Sequence, residues 1–251
     1  LAVKCCERVN VDLMALYHFG RLNMVGRGAL SGLLAYGDSN ELIQQVGQDV
    51  LPLVKKTPVL AGVCGTDPFR VMDIFIEKLK EQGWSGIQNF PTVGIIDGKF
   101  RVNLEETGMG YDMEVEMIRK AHELDMLTCP FVFDPEQAAA MTEAGADILV
   151  AHMGIEPKRI TDFEDTASLD ICCDRIKAIA EAGRKENPNV MILCHGGPIA
   201  EPDEAAYVIR NLPEIDGFFG TNSIERLTTE AGMTAEAEAF RAIKRIDTEE
   251  G

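Results

Sequence analysis

Two nearly matching phrases and three histidines carry most of the chemistry this chain could perform. GVCGTDPFR runs from Gly62 to Arg70 and GFFGTNSIER from Gly217 to Arg226, each straight from a short apolar run. Gly65-Thr66-Asp67 and Gly220-Thr221-Asn222 each offer a tight turn, a hydroxyl and a side chain able to cap a following helix. Glycines let backbone N–H groups approach a ligand, and a helix start presents its positive end to an anion. The second copy adds Ser223 and Arg226, and a guanidinium suits a carboxylate or phosphate in bidentate fashion. The second phrase is therefore expected to grip an anion and the first to orient its reacting end. Two ordinary helix caps are the alternative reading.

His195, in LCHGGPIAEPDE, directly follows an apolar run, and no periodicity places it in a core. Gly196 and Gly197 leave room beside it for a ligand against bare backbone. His152, in LVAHMG, and His18, in LYHFGR, end apolar runs in the same way, whereas His122 falls within a helical pattern and reads as a surface residue. Imidazoles gathered on one face could act as general acid and base or as metal ligands, although nothing in their spacing diagnoses zinc. The connection from Pro91 to Gly110, about twenty residues, is longer than compact domains usually need between elements. It reads as a lid with glycine hinges at 94, 98, 108 and 110 that delivers Glu105 to the ligand; a solvated acidic patch of Glu105 and Glu106 is the plainer reading.

With 41 acidic against 24 basic residues, a net charge of −17 opposes nucleic acid and anionic membrane surfaces, which are bound through Lys/Arg clusters. No run reaches the roughly 18 apolar residues of a membrane helix, and LAVKCCERVN lacks the layout of a signal peptide. A cytoplasmic homo-oligomer with a small anionic substrate or metabolite as partner is expected. Seven cysteines, at 5, 6, 64, 129, 172, 173 and 194, include no C-x-x-C, so reduced thiols are expected rather than disulfides or zinc. Cys64 and Cys194, each ending an apolar run, could be reactive.

These residues need a frame to hold them. Short apolar runs at 13–19, 58–64, 86–90, 127–133, 147–153, 190–195 and 217–220 read as buried parallel strands. Helical stripes alternate with them: 42–51, Phe69 to Leu79, Met113 to Leu124, Leu169 to Ile179, and a segment opened by Pro202. Asp134-Pro135 with Gln137 predicts a helix start, and Gly145 its end, while Asn222 and Glu225 predict a cap for the last helix. Such alternation over 251 residues with 46% hydrophobic content predicts an α/β fold, one (β/α)₈ TIM-barrel domain over 1–251. A barrel needs eight strands. Because Leu1, Cys5 and Val9 read as a helix, the first strand is expected upstream of residue 1; an open doubly wound sheet is the alternative. In the barrel, Tyr17, Cys64, Asn89, Phe133, His152, His195 and Gly220 should all lie at one end.

GVCGTDPF, GIQNFPTVG, NLEETGMGY, EAGADILVAHMG, LCHGGPI and GFFGTNSIERL resemble the motif set of the phosphoenolpyruvate hydrolase-like TIM-barrel family, grouped with the phosphoenolpyruvate/pyruvate barrels. The C-terminal domain of a plant tobamovirus-resistance protein belongs to the same family. The resemblance runs from about Val11 to Leu227; IEPKRITDFEDT, at 155–166, departs from the family's Gly/Ser-richer loop. It implies hydrolase or C–C/C–P lyase chemistry on a small anionic 2-oxo acid or its phosphate. His195, His152, Glu105 and Asp67 would be catalytic. Tyr17, Arg21, Gly65, Thr66, Gln88, Asn89, Gly196, Gly197, Gly220, Thr221, Asn222, Ser223 and Arg226 would bind the substrate. Related barrels use a divalent metal held by acidic residues; here Asp67, beside Gln88 and Asn89, is the candidate for a metal such as Mg, and no other cofactor is evident. A metabolite-sensing or protein-binding barrel within a larger protein is the alternative.

Overall fold

In a computed structural model that describes residues 1–154, 168–221 and 223–243, without the side chains of Arg226 and Leu227, strands and helices alternate along the chain. The strands are β1 (Met14–Leu16), β2 (Val59–Val63), β3 (Gly86–Asn89), β4 (Leu127–Thr128), β5 (Phe131–Val132), β6 (Ile148–His152), β7 (Met191–His195) and β8 (Gly217–Phe218). Around them lie α1 (Ala2–Val9), α2 (Gly20–Met24), α3 (Ser39–Val50), α4 (Met72–Gln82), α5 (Gly98–Glu106), α6 (Tyr111–Glu123), α7 (Pro135–Glu143), α8 (Leu169–Glu186), α9 (Pro202–Asn211) and α10 (Arg226–Arg241). All five residues of β2 and of β6 are buried, as strands covered on both faces must be.

Every strand pair is parallel, in the orders β1-β2-β3-β4 and β5-β6-β7-β8. β4 and β5 are two halves of one run, broken at Cys129-Pro130. Asn89 mends the break: its Oδ1 accepts the Phe131 N–H (2.7 Å) and its Nδ2 donates to the Phe131 carbonyl (3.3 Å), where a ladder would otherwise continue. The architecture is a TIM-type parallel barrel, and the strand ends that carry Tyr17, Cys64, Asn89, Phe133, His152, His195 and Gly220 share one face. Among the described residues β1 and β8 do not pair with each other; an Asn23–Glu225 hydrogen bond joins α2, which follows β1, to the N-cap of α10, which follows β8.

Helix signals are largely as the residues dictate. Asp134 accepts the Gln137 N–H (2.8 Å), Pro135 opens α7, and Gly145 follows its end at φ 97°. Gln137 reaches back to the Phe133 N–H (3.0 Å), one residue before the expected partner. The first and last expected stripes need adjustment. Phe69 is 88% exposed and precedes α4, its N–H held by Asp67 Oδ1 (2.8 Å). Asn222 lies outside the described residues, and Glu225, at the N-cap of α10, makes no side-chain cap bond.

The connection from 91 to 110 is not an open loop. It contains a 3₁₀ turn (Val93–Ile95) and then α5, no residue of which is buried. Inside the barrel, Leu60, Phe90, Cys129, Phe131, Val150 and Phe219 pack together, whereas Ile43, Ile76, Leu79, Ile118, Met141 and Ile176 join the helices to the outer wall. Each such side chain contributes about 1.5–3 kcal/mol by leaving water.

Candidate active site

β6 and β7 run side by side in a register that pairs His152 with His195. Their rings meet edge to face, with centroids 4.7 Å apart. Phe131 lies 5.1 Å from His152 and 5.3 Å from His195, Phe133 stacks on His152 at 4.8 Å, and Phe219 borders His195 at 5.6 Å. The two imidazoles line a cavity of about 40 Å³ at the mouth of the barrel. Tyr17, Phe19, Phe90, Ile95 and Phe131 form its apolar wall, and Thr221 adds a hydroxyl.

Backbone bonds set the tautomer of each ring. His195 Nδ1 faces the Phe219 carbonyl at 2.8 Å and must donate to it, so its Nε2 carries the lone pair. The Gly154 N–H donates to His152 Nδ1 (3.1 Å), so the proton of that ring sits on Nε2. Burial among aromatic rings disfavours the charged form of both. His195 is pushed down to about 4, and His152 well below its ordinary value, first by burial and then by His195 and Arg175. At neutral pH the pair offers one neutral donor and one neutral acceptor.

Tyr17 enters the barrel where Gly62 has no side chain to block its ring, and stacks on Phe19 with centroids 5.1 Å apart. Its hydroxyl donates to Gln88 Oε1, so Gln88 supports the wall rather than facing the cavity. Asn89 is spent on Phe131 and on Glu114.

The remaining expected residues fall elsewhere. Asp67 accepts from the Phe69 N–H (2.8 Å), Asn40 Nδ2 (2.8 Å) and Arg70 (2.7 Å); against the opposing effect of burial, those bonds, the Phe69 N–H first, hold its carboxyl below the usual range. Glu105 pairs with Arg101 (2.6 Å) on α5 and accepts the Tyr111 N–H (3.3 Å); the 91–110 segment reaches the cavity through Ile95 instead. Gly65 packs against the backbone of Glu114, and the Thr66 hydroxyl lies 3.6 Å from Cys64 Sγ. Arg21 and His18 line a second cavity.

The space beside Gly196 and Gly197 is filled by chain rather than open to a ligand. Both have positive φ (77° and 57°), a Cβ on Gly196 would strike the Gly154 carbonyl, and the Gly197 N–H donates to that oxygen (2.8 Å). Of the second phrase, Thr221 lines the cavity, a Cβ on Gly220 would strike Ile224, and Ser223 Oγ is buried with no partner among the described residues. Asn222 and the side chain of Arg226 lie outside the described residues, as does the 155–166 segment.

The described donors do not assemble a magnesium site. Asp67 is occupied by a cation and an amide, and among the described residues no three His, Cys, Asp or Glu side chains gather to hold a metal. All seven cysteines are free; burial raises the thiols of Cys64 and Cys194, the latter to about 12, which keeps both protonated.

Glu114, fully buried on α6, went unrecognised in the sequence. Its Oε2 accepts from Asn89 Nδ2 (2.6 Å) and the Thr92 hydroxyl (2.7 Å), and its Oε1 accepts the Val93 N–H (2.7 Å), which anchors the segment that carries Ile95. Its spacing was the available signal, since it stands three and four residues before Met117 and Ile118 on the buried face.

Residues 1–243 of the chain match the model of the phosphoenolpyruvate hydrolase-like family. The chain belongs to that family. It is 49% identical over 243 residues to the tomato (Solanum lycopersicum) ToMV resistance protein Tm-1(GCR237), covering 97% of this chain and 32% of that protein. The chain spans about a third of the length of the curated relatives it matches first. Among solved structures, a candidate lyase or mutase from Burkholderia cenocepacia J2315 superposes with a TM-score of 0.57 at 14% identity, over 96% of this chain and 79% of that one. 2,3-Dimethylmalate lyase, a member of the PEP mutase/isocitrate lyase superfamily, gives 0.50 at 14% identity, over 100% and 92%. Likeness at this identity bears on the fold alone. No helix among the described residues of this phosphoenolpyruvate hydrolase-like barrel is long and apolar enough to cross a membrane.

Proposed function

We propose that the barrel is an enzyme that moves a proton on a small 2-oxo acid, with His195 as base and His152 as acid. The observation that carries this reading is the pair of opposite tautomers on one cavity wall. His195 Nε2 takes the proton from the carbon next to the oxo group. His152 Nε2–H donates to the oxo oxygen as charge develops there, and the product is the enol. Neutral imidazoles suit this step, because a donor need not be charged to polarise a carbonyl in a site that excludes water. Enol formation is the step shared by lyases that make or break the adjacent C–C bond.

Cavity size favours the smaller members of the expected class. About 40 Å³ holds roughly three water molecules, which is nearer to a three- or four-carbon oxo acid than to its phosphate ester. The described lining holds no Lys or Arg, so the carboxylate end is assigned to the Thr221 hydroxyl.

The test is proton–deuterium exchange at C3 of pyruvate and 2-oxobutanoate, followed by NMR in D₂O, with phosphate release from phosphoenolpyruvate measured in parallel. The expected result is exchange above the solvent rate, reduced by about 10²-fold or more in His195→Gln and His152→Gln. Saturable binding without exchange or turnover would replace this reading with the metabolite-sensing one, which the chain's share of its longer relatives favours.

A further inference from the structure

The connection between β1 and α3 separates two cavities. Tyr17, Phe19, Ala29 and Leu33 face the histidine pair, whereas His18, Arg21, Leu22, Ser31, Leu34 and Tyr36 face outward to a second cavity of about 260 Å³, several times larger than the 40 Å³ at the barrel mouth. Gly37 and Leu42, at the start of α3, complete its wall.

Three features of this second cavity point to a ligand. Arg21 makes no ion pair among the described residues, in a chain of net charge −17, and the described lining holds no Asp or Glu. His18 is 6% exposed, its Nε2 donates to the Gly32 carbonyl (3.0 Å), and its Nδ1 has no partner among the described residues. Burial keeps this ring neutral, so that nitrogen is a buried acceptor whose hydrogen bond is unmade among the described residues. Three leucines, at 22, 34 and 42, share the lining with these polar groups and give it apolar surface.

We infer that the second cavity binds a small aliphatic 2-hydroxy acid: its carboxylate on the Arg21 guanidinium, its hydroxyl donating to the His18 ring, and its branched carbon chain against Leu22, Leu34 and Leu42. A planar carboxylate matches the fork of a guanidinium, and an acceptor nitrogen selects a ligand with a donor next to that carboxylate. The Ser31 hydroxyl already donates to the Gly28 carbonyl (2.6 Å) and can only accept from the ligand.

The test is calorimetry of the whole chain with 2-hydroxy-3-methylbutanoate, with 3-methylbutanoate as the analogue lacking the hydroxyl, and with inorganic phosphate. The expected result is saturable binding of the hydroxy acid, several-fold tighter than the plain acid. Arg21→Gln should weaken it at least tenfold, His18→Phe should erase the preference for the hydroxyl, and His195→Gln should change nothing. Arg21 is exposed, so its variants keep the fold; Arg21→Lys should recover part of the affinity. Equal binding to wild type and Arg21→Gln overturns the assignment. So does phosphate binding as tightly as the hydroxy acid, or loss of binding in His195→Gln, which would place the ligand at the barrel mouth.

Discussion

Glu114→Gln exchanges one oxygen for an NH₂ and tests how the 91–110 segment is held. In the wild type the Val93 N–H points at Oε1, while Asn89 Nδ2 and the Thr92 hydroxyl point at Oε2. The Thr92 hydroxyl can turn round, but the other two donors cannot, so an NH₂ in either place faces a donor in a fully buried site. Leaving one buried donor unsatisfied costs about 1–3 kcal/mol. For a chain of this size that is about 2–12 °C in Tm.

The same variant has a pH signature. Burial raises the Glu114 carboxyl from 4.5 to about 7. A raised carboxyl contributes stability that is present below its unfolded value and is lost as pH rises through the folded value, here between about pH 4.5 and 7, and amounts to about 3 kcal/mol at most. His195 works in the opposite direction, because its lowered value contributes stability above about pH 6.5 that disappears as pH falls towards 4. Comparing variant with wild type cancels the histidine. Thermal denaturation at pH 5 and pH 8 should therefore show a larger deficit for Glu114→Gln at pH 5. A deficit independent of pH would show that Glu114 titrates below this window, and no deficit at all would refute the donor geometry.

Proton exchange by the wild type should be flat from pH 6 to 8 and fall only as pH approaches 4, where His195 is protonated; a limb near 6.5 would mean an exposed imidazole does the work. ¹⁵N NMR of the imidazoles at pH 7 should find the proton on Nδ1 in His195 and on Nε2 in His152, and the same tautomer in both would remove the basis for acid–base pairing. Gly197→Val puts a branched side chain at φ 57° with its Cβ 2.6 Å from the Met153 carbonyl, so a loss of more than about 2 kcal/mol is expected by chemical denaturation; an unchanged midpoint would mean the loop is free to accept a ligand after all. Asp67→Asn should cost about 1–3 kcal/mol, again by chemical denaturation, and leave exchange at the histidine pair intact, because its carboxylate serves Arg70, Asn40 and the Phe69 N–H. A loss of exchange without loss of stability would return Asp67 to the chemistry.

The barrel was legible because strands buried on both faces leave an unbroken apolar run, as VLAGV and ILVAH do. His152 and His195 were legible for a related reason: a polar ring that ends such a run must sit at the strand's exit, and parallel strands exit together. α5 was not, since a helix that buries none of its residues writes no stripe, and its glycines read as hinges. Glu114 was hidden by its type, for a carboxylate on a helix reads as solvent-facing unless its spacing is checked against the apolar face. The glycine pair after His195 misled in a different way. Glycine marks close approach, but the residue alone does not say whether a ligand or the protein's own backbone approaches.

Charge gives the site its remaining logic. A chain of net charge −17 repels an anionic substrate at long range, and the described wall of the barrel mouth offers it no cation. The same apolar wall keeps both imidazoles neutral, and two neutral imidazoles can stand 4.7 Å apart without the repulsion that charged ones would suffer. For the proposed 2-oxo acid, the aromatic cage therefore gives up electrostatic attraction for the acid group and gains a fixed donor and a fixed acceptor at the reacting end. In the proposed reaction the acid group is left to the Thr221 hydroxyl, and among the described residues Thr221 is the member of the two repeated phrases that lines the cavity.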